Sequence, residues 1–426
     1  MIRQLVFFPV ANSINSQRHV SDSDYTIAFI INLTVSLIVG ALLLVCYPYL
    51  DDIFPGAQLS ELVPFMAAST VIIGLSTVYD AILMRRLEFR SLAIRSIISV
   101  GVSGAIGLYL AMNGYGIWSL VWQQLLQQGL SLATVVSLSK WHPQRGFDSQ
   151  DIKRILQFAA HVSLNGLIGF IGYQADTVTI AYFLGPRSTG LFNSAKRIGT
   201  ALNHVILKPL ERVALPALVQ FGDDLSRLRT AYLRALGITA LGTAPVFFGV
   251  AVISDDIIGL LLGEEWSGVA PVLSALAVSF FCSTIVQYNV AVIMVARKPK
   301  LQSILNLVFV VASLGLMLIS VQYGILGVAV GVLIRSALML PIQTILVINI
   351  VKCPSKDVIR ALTPAVTAGT IMALGVWMLS LNLTFSSLLV GIIIKIFIAA
   401  LIYTAILMLF FRRGVFRLLK GADVLS

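Results

Sequence analysis

Four ionisable residues stand in stretches of sequence where charge is expensive. Asp176 lies inside the apolar run 155–183, Lys196 and Arg197 open the apolar run 191–218, and Arg335 lies well inside the run 326–347. The first two runs meet at the turn Leu184-Gly185-Pro186. At about 1.5 Å per residue, Asp176 lies about 10 Å before that turn and Lys196 a similar distance after it. An antiparallel hairpin therefore sets acid and base at similar depth. Adjacent helical residues point about 100° apart, so only one of Lys196 and Arg197 faces inward. Two roles are open. Asp176 pairs with one base and simply holds the hairpin, or the other base joins Arg335 in a cationic cavity. Such a cavity suits phosphate and acidic ligands, because guanidinium matches phosphate oxygens in bidentate geometry. Lys395 is a weaker candidate for the same task.

Other chemistry is sparse. The sequence has no G-x-x-x-x-G-K-[ST] phosphate loop, H-E-x-x-H, C-x-x-C or G-x-S-x-G. The four histidines, His19, His142, His161 and His204, lack metal-ligand spacing, so neither a metal site nor a cofactor is expected. His161 and His204 lie in or near apolar runs, where proton coupling and a structural hydrogen bond are both open readings. Cys46, Cys282 and Cys353 are too scattered for a disulfide framework and read as small packing residues. Gly166, Gly169 and Gly172 permit either close helix approach or a hinge.

Composition explains why charge matters so much. Of 426 residues, 58% are hydrophobic and 12% charged, and mean hydropathy is +0.93. A soluble domain carries about 25% charged residues, so the chain is a membrane protein. The net charge of +11 does not indicate nucleic acid, because its basic residues sit in short loops and form no basic face. Twelve runs reach the length of about 20 residues needed to span a bilayer: 27–46, 62–84, 93–112, 117–138, 155–183, 191–218, 236–253, 269–295, 301–320, 326–347, 361–380 and 387–411. Pro216, Pro245, Pro341 and Pro364 fall in or near them, which predicts bent helices.

Alternate loops carry the basic residues, among them Arg85, Arg90, Lys153, Arg229, Arg297 and Lys356. The opposite loops hold Asp51, Asp52, Glu61, Asp255, Asp256, Glu264 and Glu265, with Arg187 as the lone base. The positive-inside rule then places both termini in the cytoplasm. No loop is long enough for a catalytic domain, so an enzyme is not expected. The expected organisation is an N-terminal helical lobe over 1–138, a cytoplasmic linker over 139–154 and a second lobe over 155–348. An extra helix pair over 361–411 and a cytoplasmic tail over 412–426 complete it. The piece DDLSRLRTAYLR, beginning at Asp223, reads either as an interfacial helix or as a solvated charged turn.

Several motifs carry a family resemblance. DTVTIAYFLGPRSTGLFNSAKR, from Asp176 to Arg197, resembles the D-x-x-x-I-x-x-x-L-G…G-x-Y/F-x-x-A signature of polysaccharide exporters. VALPALVQFGDDLSRLRTAYLRAL and LLLGEEWSGVAP follow in the family's order, with Val269 where the family has alanine, and YDAILMRRLEF resembles an earlier helix end. Together they resemble the polysaccharide transporter branch of the multidrug/oligosaccharidyl-lipid/polysaccharide exporter superfamily. The resemblance implies an all-α integral membrane protein with two helical lobes around a central cavity. It also implies a bacterial inner-membrane flippase that moves undecaprenyl-diphosphate-linked oligosaccharide units for surface polysaccharide. The implied partners are the lipid-linked oligosaccharide and membrane lipid, with a polysaccharide polymerase and a chain-length regulator by analogy. Residues 8–20 resemble the end of the family's second helix, so the first helix pair is expected to be missing. Rival readings are a cation-coupled multidrug exporter, a membrane polymerase and an inactive fragment.

Overall fold

The computed structural model describes residues 22–53, 60–144, 149–222, 224–296, 298–382 and 387–412. Among them no strand occurs. The helices are α1 (Asp22–Ile53), α2 (Val63–Arg85), α3 (Phe89–Met112), α4 (Ile117–Ser139), α5 (Ser149–Gln220) and α6 (Leu225–Val252). They continue as the short α7 (Ser254–Leu261), α8 (Ala270–Val295), α9 (Pro299–Ser320), α10 (Gly324–Val351), α11 (Ser355–Asn382) and α12 (Leu388–Phe410). All twelve expected runs fall on these helices. Eight segments of the described residues are long and apolar enough to cross a membrane, the longest, Lys300–Val351, holding both α9 and α10. The protein is an all-α, multi-pass membrane protein. Pro48, Pro245, Pro341 and Pro364 lie inside helices, as expected of bilayer spans.

The runs 155–183 and 191–218 form one helical stretch, α5, broken at Gly185. Its φ of 79° and ψ of −178° belong to a region that only glycine enters cheaply. Of the two structures expected for the DDLSRLRTAYLR piece, a helix and a solvated turn, it is the helix. From Leu225 onward it is the first turns of α6 itself, because Leu228, Tyr232, Ala235 and Leu236 bury the same face as the rest of that helix. Asp224 caps it, accepting hydrogen bonds from the backbone N–H of Ser226 at 2.9 Å and of Arg227 at 3.2 Å.

The chain divides into two compact units, Met1–Ile171 and Gly172–Ser426. In the first, α2 packs on α1 and α4, and α3 packs on α4. Its core is aromatic. Trp141 is buried against Tyr25, Phe29 and Tyr79, with ring centroids 6.2, 6.1 and 5.5 Å away in edge-on geometry. The backbone N–H of Gln144 donates to Thr26 Oγ1 at 3.0 Å, so the segment leaving α4 is fastened to α1. Asp80 on α2 is buried and paired with Arg95 on α3.

In the second unit α8 lies between α6 and α10, α11 packs on α6, and α12 packs on α11. Helices in lipid gain little from burying apolar surface against one another, so close packing and side-chain hydrogen bonds join them. Tyr232 on α6 donates to Asn289 Oδ1 on α8 at 2.6 Å, and Asn289 Nδ2 donates to Thr344 on α10 at 3.0 Å. Ser279 and Ser336 bridge α8 and α10 at 2.9 Å. Lys395 on α12 donates to Asp256 on α7 at 2.6 Å, and Arg229 on α6 pairs with Asp357 on α11. All three cysteines are free thiols. Residues 8–20, the tail beyond 412, the side chain of His161 and the surroundings of Gly166 and Gly169 lie outside what the structure describes.

Candidate functional site

The break at Gly185 folds α5 back along itself and joins the residues the sequence singled out. Lys196 Nζ lies 2.9 Å from Asp176 Oδ1 and 3.1 Å from Oδ2. It also donates to the Tyr173 carbonyl at 2.8 Å and sits 4.0 Å from the centre of the Tyr173 ring. Every proton of the ammonium thus has an acceptor or a π face. Thr177 supports the acid, its backbone N–H donating to Asp176 Oδ1 at 2.7 Å. Asp176 is 3% exposed. The pairing reading of this hairpin is therefore met by Lys196, the inward member of the two adjacent bases.

Arg335 reaches the same neighbourhood from α10. It is 7% exposed, with its guanidinium 4.4 Å from the centre of the Phe309 ring and one nitrogen donating to Ser313. Ser313 in turn donates to the carbonyl of Gly172 at 3.4 Å. A Cβ on Gly172 would come within 2.8 Å of Val310, so close helix approach explains this glycine. Asp176 attracts both the Lys196 ammonium and the Arg335 guanidinium. Lys196 alone is ion-paired with that carboxylate, and Arg335 has no ion pair among the described residues. The Nε–H of Arg335 is buried with no partner, although a buried donor ordinarily finds one. The site therefore carries one net positive charge and an unused donor.

Arg197 points elsewhere. It is exposed, on a face that continues at helical spacing through Ala201, His204 and Lys208, all exposed. At the centre of a bilayer one arginine facing lipid costs about 3 kcal/mol. A face bearing three basic side chains suits water instead. His204 belongs to this face, not to a buried structural hydrogen bond. Lys395 is engaged with Asp256 at the edge of α7, apart from this cluster. The Ser313 hydroxyl, the Phe309 and Tyr173 rings and the Thr177 amide carry no charge, so nothing in the sequence marked them. Arg95, partner of Asp80, could have been found, since acid and base flank one short turn.

A family model described as polysaccharide biosynthesis protein matches residues 9–271. The chain belongs to that family. Among the relatives of this polysaccharide biosynthesis protein is the succinoglycan biosynthesis transport protein ExoT of Rhizobium meliloti (strain 1021). The two are 29% identical over 212 residues, covering 49% of this chain and 43% of ExoT. The teichuronic acid biosynthesis protein TuaB of Bacillus subtilis (strain 168) is 26% identical over 273 residues, 64% of this chain and 56% of TuaB. The chain thus spans about half the length of these relatives. Its fold is similar to that of a solved structure of the lipid II flippase MurJ, inward closed conformation, with a TM-score of 0.78 at 17% identity. That likeness covers 97% of this chain and 90% of MurJ.

Proposed function

We propose that this polysaccharide biosynthesis protein is a transporter, not an enzyme, and that it flips a lipid-linked oligosaccharide across the bacterial inner membrane. Its phosphate groups would be met by the unused Nε–H of Arg335, with Lys196 holding Asp176 beside it and the exposed Arg197 offering a separate positive charge on the face of His204 and Lys208. The observation that carries this reading is Arg335 itself, a buried guanidinium beside the Asp176–Lys196 pair that has no ion-pair partner among the described residues and keeps an unpaired Nε–H. A phosphate oxygen supplies both the missing charge and the missing acceptor. Family membership, the transport function named for ExoT and the MurJ-like fold support the same reading. On it, the protein partners are a polysaccharide polymerase and a chain-length regulator. The multidrug-exporter alternative, which calls for acids deep in the first lobe, is weakened where Asp80 is already held by Arg95.

The test is export of surface glycan by a strain lacking its own flippase, with membrane level measured in parallel. A chain bearing Arg335→Ala and Arg197→Ala should insert normally and lose at least tenfold in export. Normal export from that well-inserted variant eliminates the cationic site as the substrate's contact.

A further inference from the structure

In the first unit, α4 has the same 23 residues in length as α2 and packs along both α2 and α3. Yet α1, α2 and α3 each hold a segment apolar enough to cross a membrane, and α4 does not. The reason is four glutamines within six residues, Gln123, Gln124, Gln127 and Gln128. At about 100° per residue they share one side of the helix. The other side is taken, since Trp118 and Trp122 lie edge-on against Phe65 of α2 with ring centroids 5.2 and 6.1 Å away. The stem of Gln123 lies over Gly107 of α3, where an added Cβ would come within 2.9 Å of it. Gln124 is exposed, and Gln127 and Gln128 are half-buried. Among the described residues none of the four carboxamides makes a hydrogen bond.

A carboxamide offers two N–H donors and a carbonyl acceptor and carries no charge. Against hydrocarbon without partners it is strongly disfavoured, so acyl chains are the wrong occupant of this face. A second helix fits it badly as well. Close contact between helices in lipid uses small residues that let the backbones approach, and here four long side chains stand in the way. An anion finds no cation on α4, which holds no charged residue. A hydroxyl meets every requirement, because it donates, accepts and is neutral. Gln124 and Gln128 stand one turn, about 6 Å, apart, so their carboxamides can grip hydroxyls on two edges of one sugar ring.

We infer that the glutamine face of α4 binds the uncharged sugar hydroxyls of the oligosaccharide, with Gln124, Gln127 and Gln128 as the contacts that select among sugars. This assignment rests on the transport reading above, but its residues belong to the first unit alone. Its chemistry is also distinct, being neutral hydrogen bonding and not attraction of phosphate.

The test follows thermal unfolding of the full chain in a neutral detergent, where a ligand that binds only the folded state raises the midpoint. One probe is the repeat-unit oligosaccharide from the surface glycan of the cells that make this protein, freed of lipid and diphosphate by mild acid. The other is inorganic pyrophosphate. The oligosaccharide should raise the midpoint, and a Gln124→Leu, Gln127→Leu, Gln128→Leu chain should lose at least half of that rise. Leucine makes α4 more apolar, so insertion is not put at risk. Arg335→Ala should keep the oligosaccharide rise. In a strain lacking its own flippase, the leucine variant at normal membrane level should export about tenfold less glycan, as loss of one or two net hydrogen bonds implies. Asparagine at the same three positions keeps the carboxamides and should restore part of that export. No rise with the oligosaccharide, or an undiminished rise in the leucine variant, overturns the inference. So does a mass of two chains in native mass spectrometry that the leucine variant reduces to one, since the face then belongs to a second copy. Absence of a pyrophosphate rise counts against the charged site of the second unit and leaves the oligosaccharide result to decide this one.

Discussion

Lys196 and Asp176 are 12% and 4% exposed in their side chains, so each is the chief neutraliser of the other in a medium that solvates neither well. Removing one partner leaves the other buried and uncompensated, which costs about 3–5 kcal/mol. Lys196→Ala and Asp176→Ala should each lower the unfolding midpoint in detergent steeply. A Lys196→Met, Asp176→Leu double variant should lie closer to the unaltered chain than either single one, because the buried charge is gone on both sides. Asp224 makes a prediction about pH. The Ser226 hydroxyl and then the Arg227 backbone N–H hold its carboxyl below the usual carboxylate range. Its folded pKa is therefore depressed, so the cap contributes above the ordinary pKa and is lost as pH falls through the folded value. Hydrogen exchange at Ser226 and Arg227 should speed up, relative to the pH trend of the rest of α6, once the cap is protonated. An Asp224→Asn chain should show no such acid step. The paired acid and base were legible in the sequence because a Gly-Pro turn fixed their relative depth. Ser313 and Phe309 were not, because an uncharged side chain in an apolar run looks like any other.

Among helices, contact distance is set by side-chain size at single positions. Gly199, on the returning part of α5, faces Phe280 of α8 so closely that a Cβ there would lie inside the surface of the ring. That ring stacks on Phe247 of α6 with centroids 6.0 Å apart, and Phe247 is fully buried, so retreat of Phe280 toward α6 is blocked. Gly199→Ala should therefore destabilise the second unit by about 1–3 kcal/mol. Adding Phe280→Leu to the same chain should recover part of that loss, as read by unfolding in detergent. Recovery by a distant substitution such as Ile371→Leu, but not by Phe280→Leu, would refute the contact. Hydropathy and length revealed the helices themselves, since few other structures satisfy their backbone groups in lipid. They did not reveal that α6 begins at Leu225. Charge at its start resembled a loop, while its buried face, set by Leu228 and Tyr232, resumes only at helical spacing.

For the whole molecule, loop charge sets orientation. The basic turns near Arg90, Arg229 and Arg297 alternate with acidic ones near Asp52 and Glu265. Reporter fusions at the first three sites should report cytoplasm, and fusions at the last two should report the periplasm. Reversal at two or more sites would refute the arrangement. The apolar runs themselves were readable because the bilayer imposes one length on every span. The two compact units divide within α5, between Ile171 and Gly172.

Trp141 has a bearing on the order in which this protein is assembled. The ring lies among Tyr25, Phe29 and Tyr79, residues made much earlier, yet it belongs to the segment that follows α4. As the ribosome delivers the chain, α1 and α2 emerge with a socket that their own residues leave empty. Packing of the first unit is finished only after translation has passed residue 141. Until then three aromatic rings face a void the size of the missing side chain.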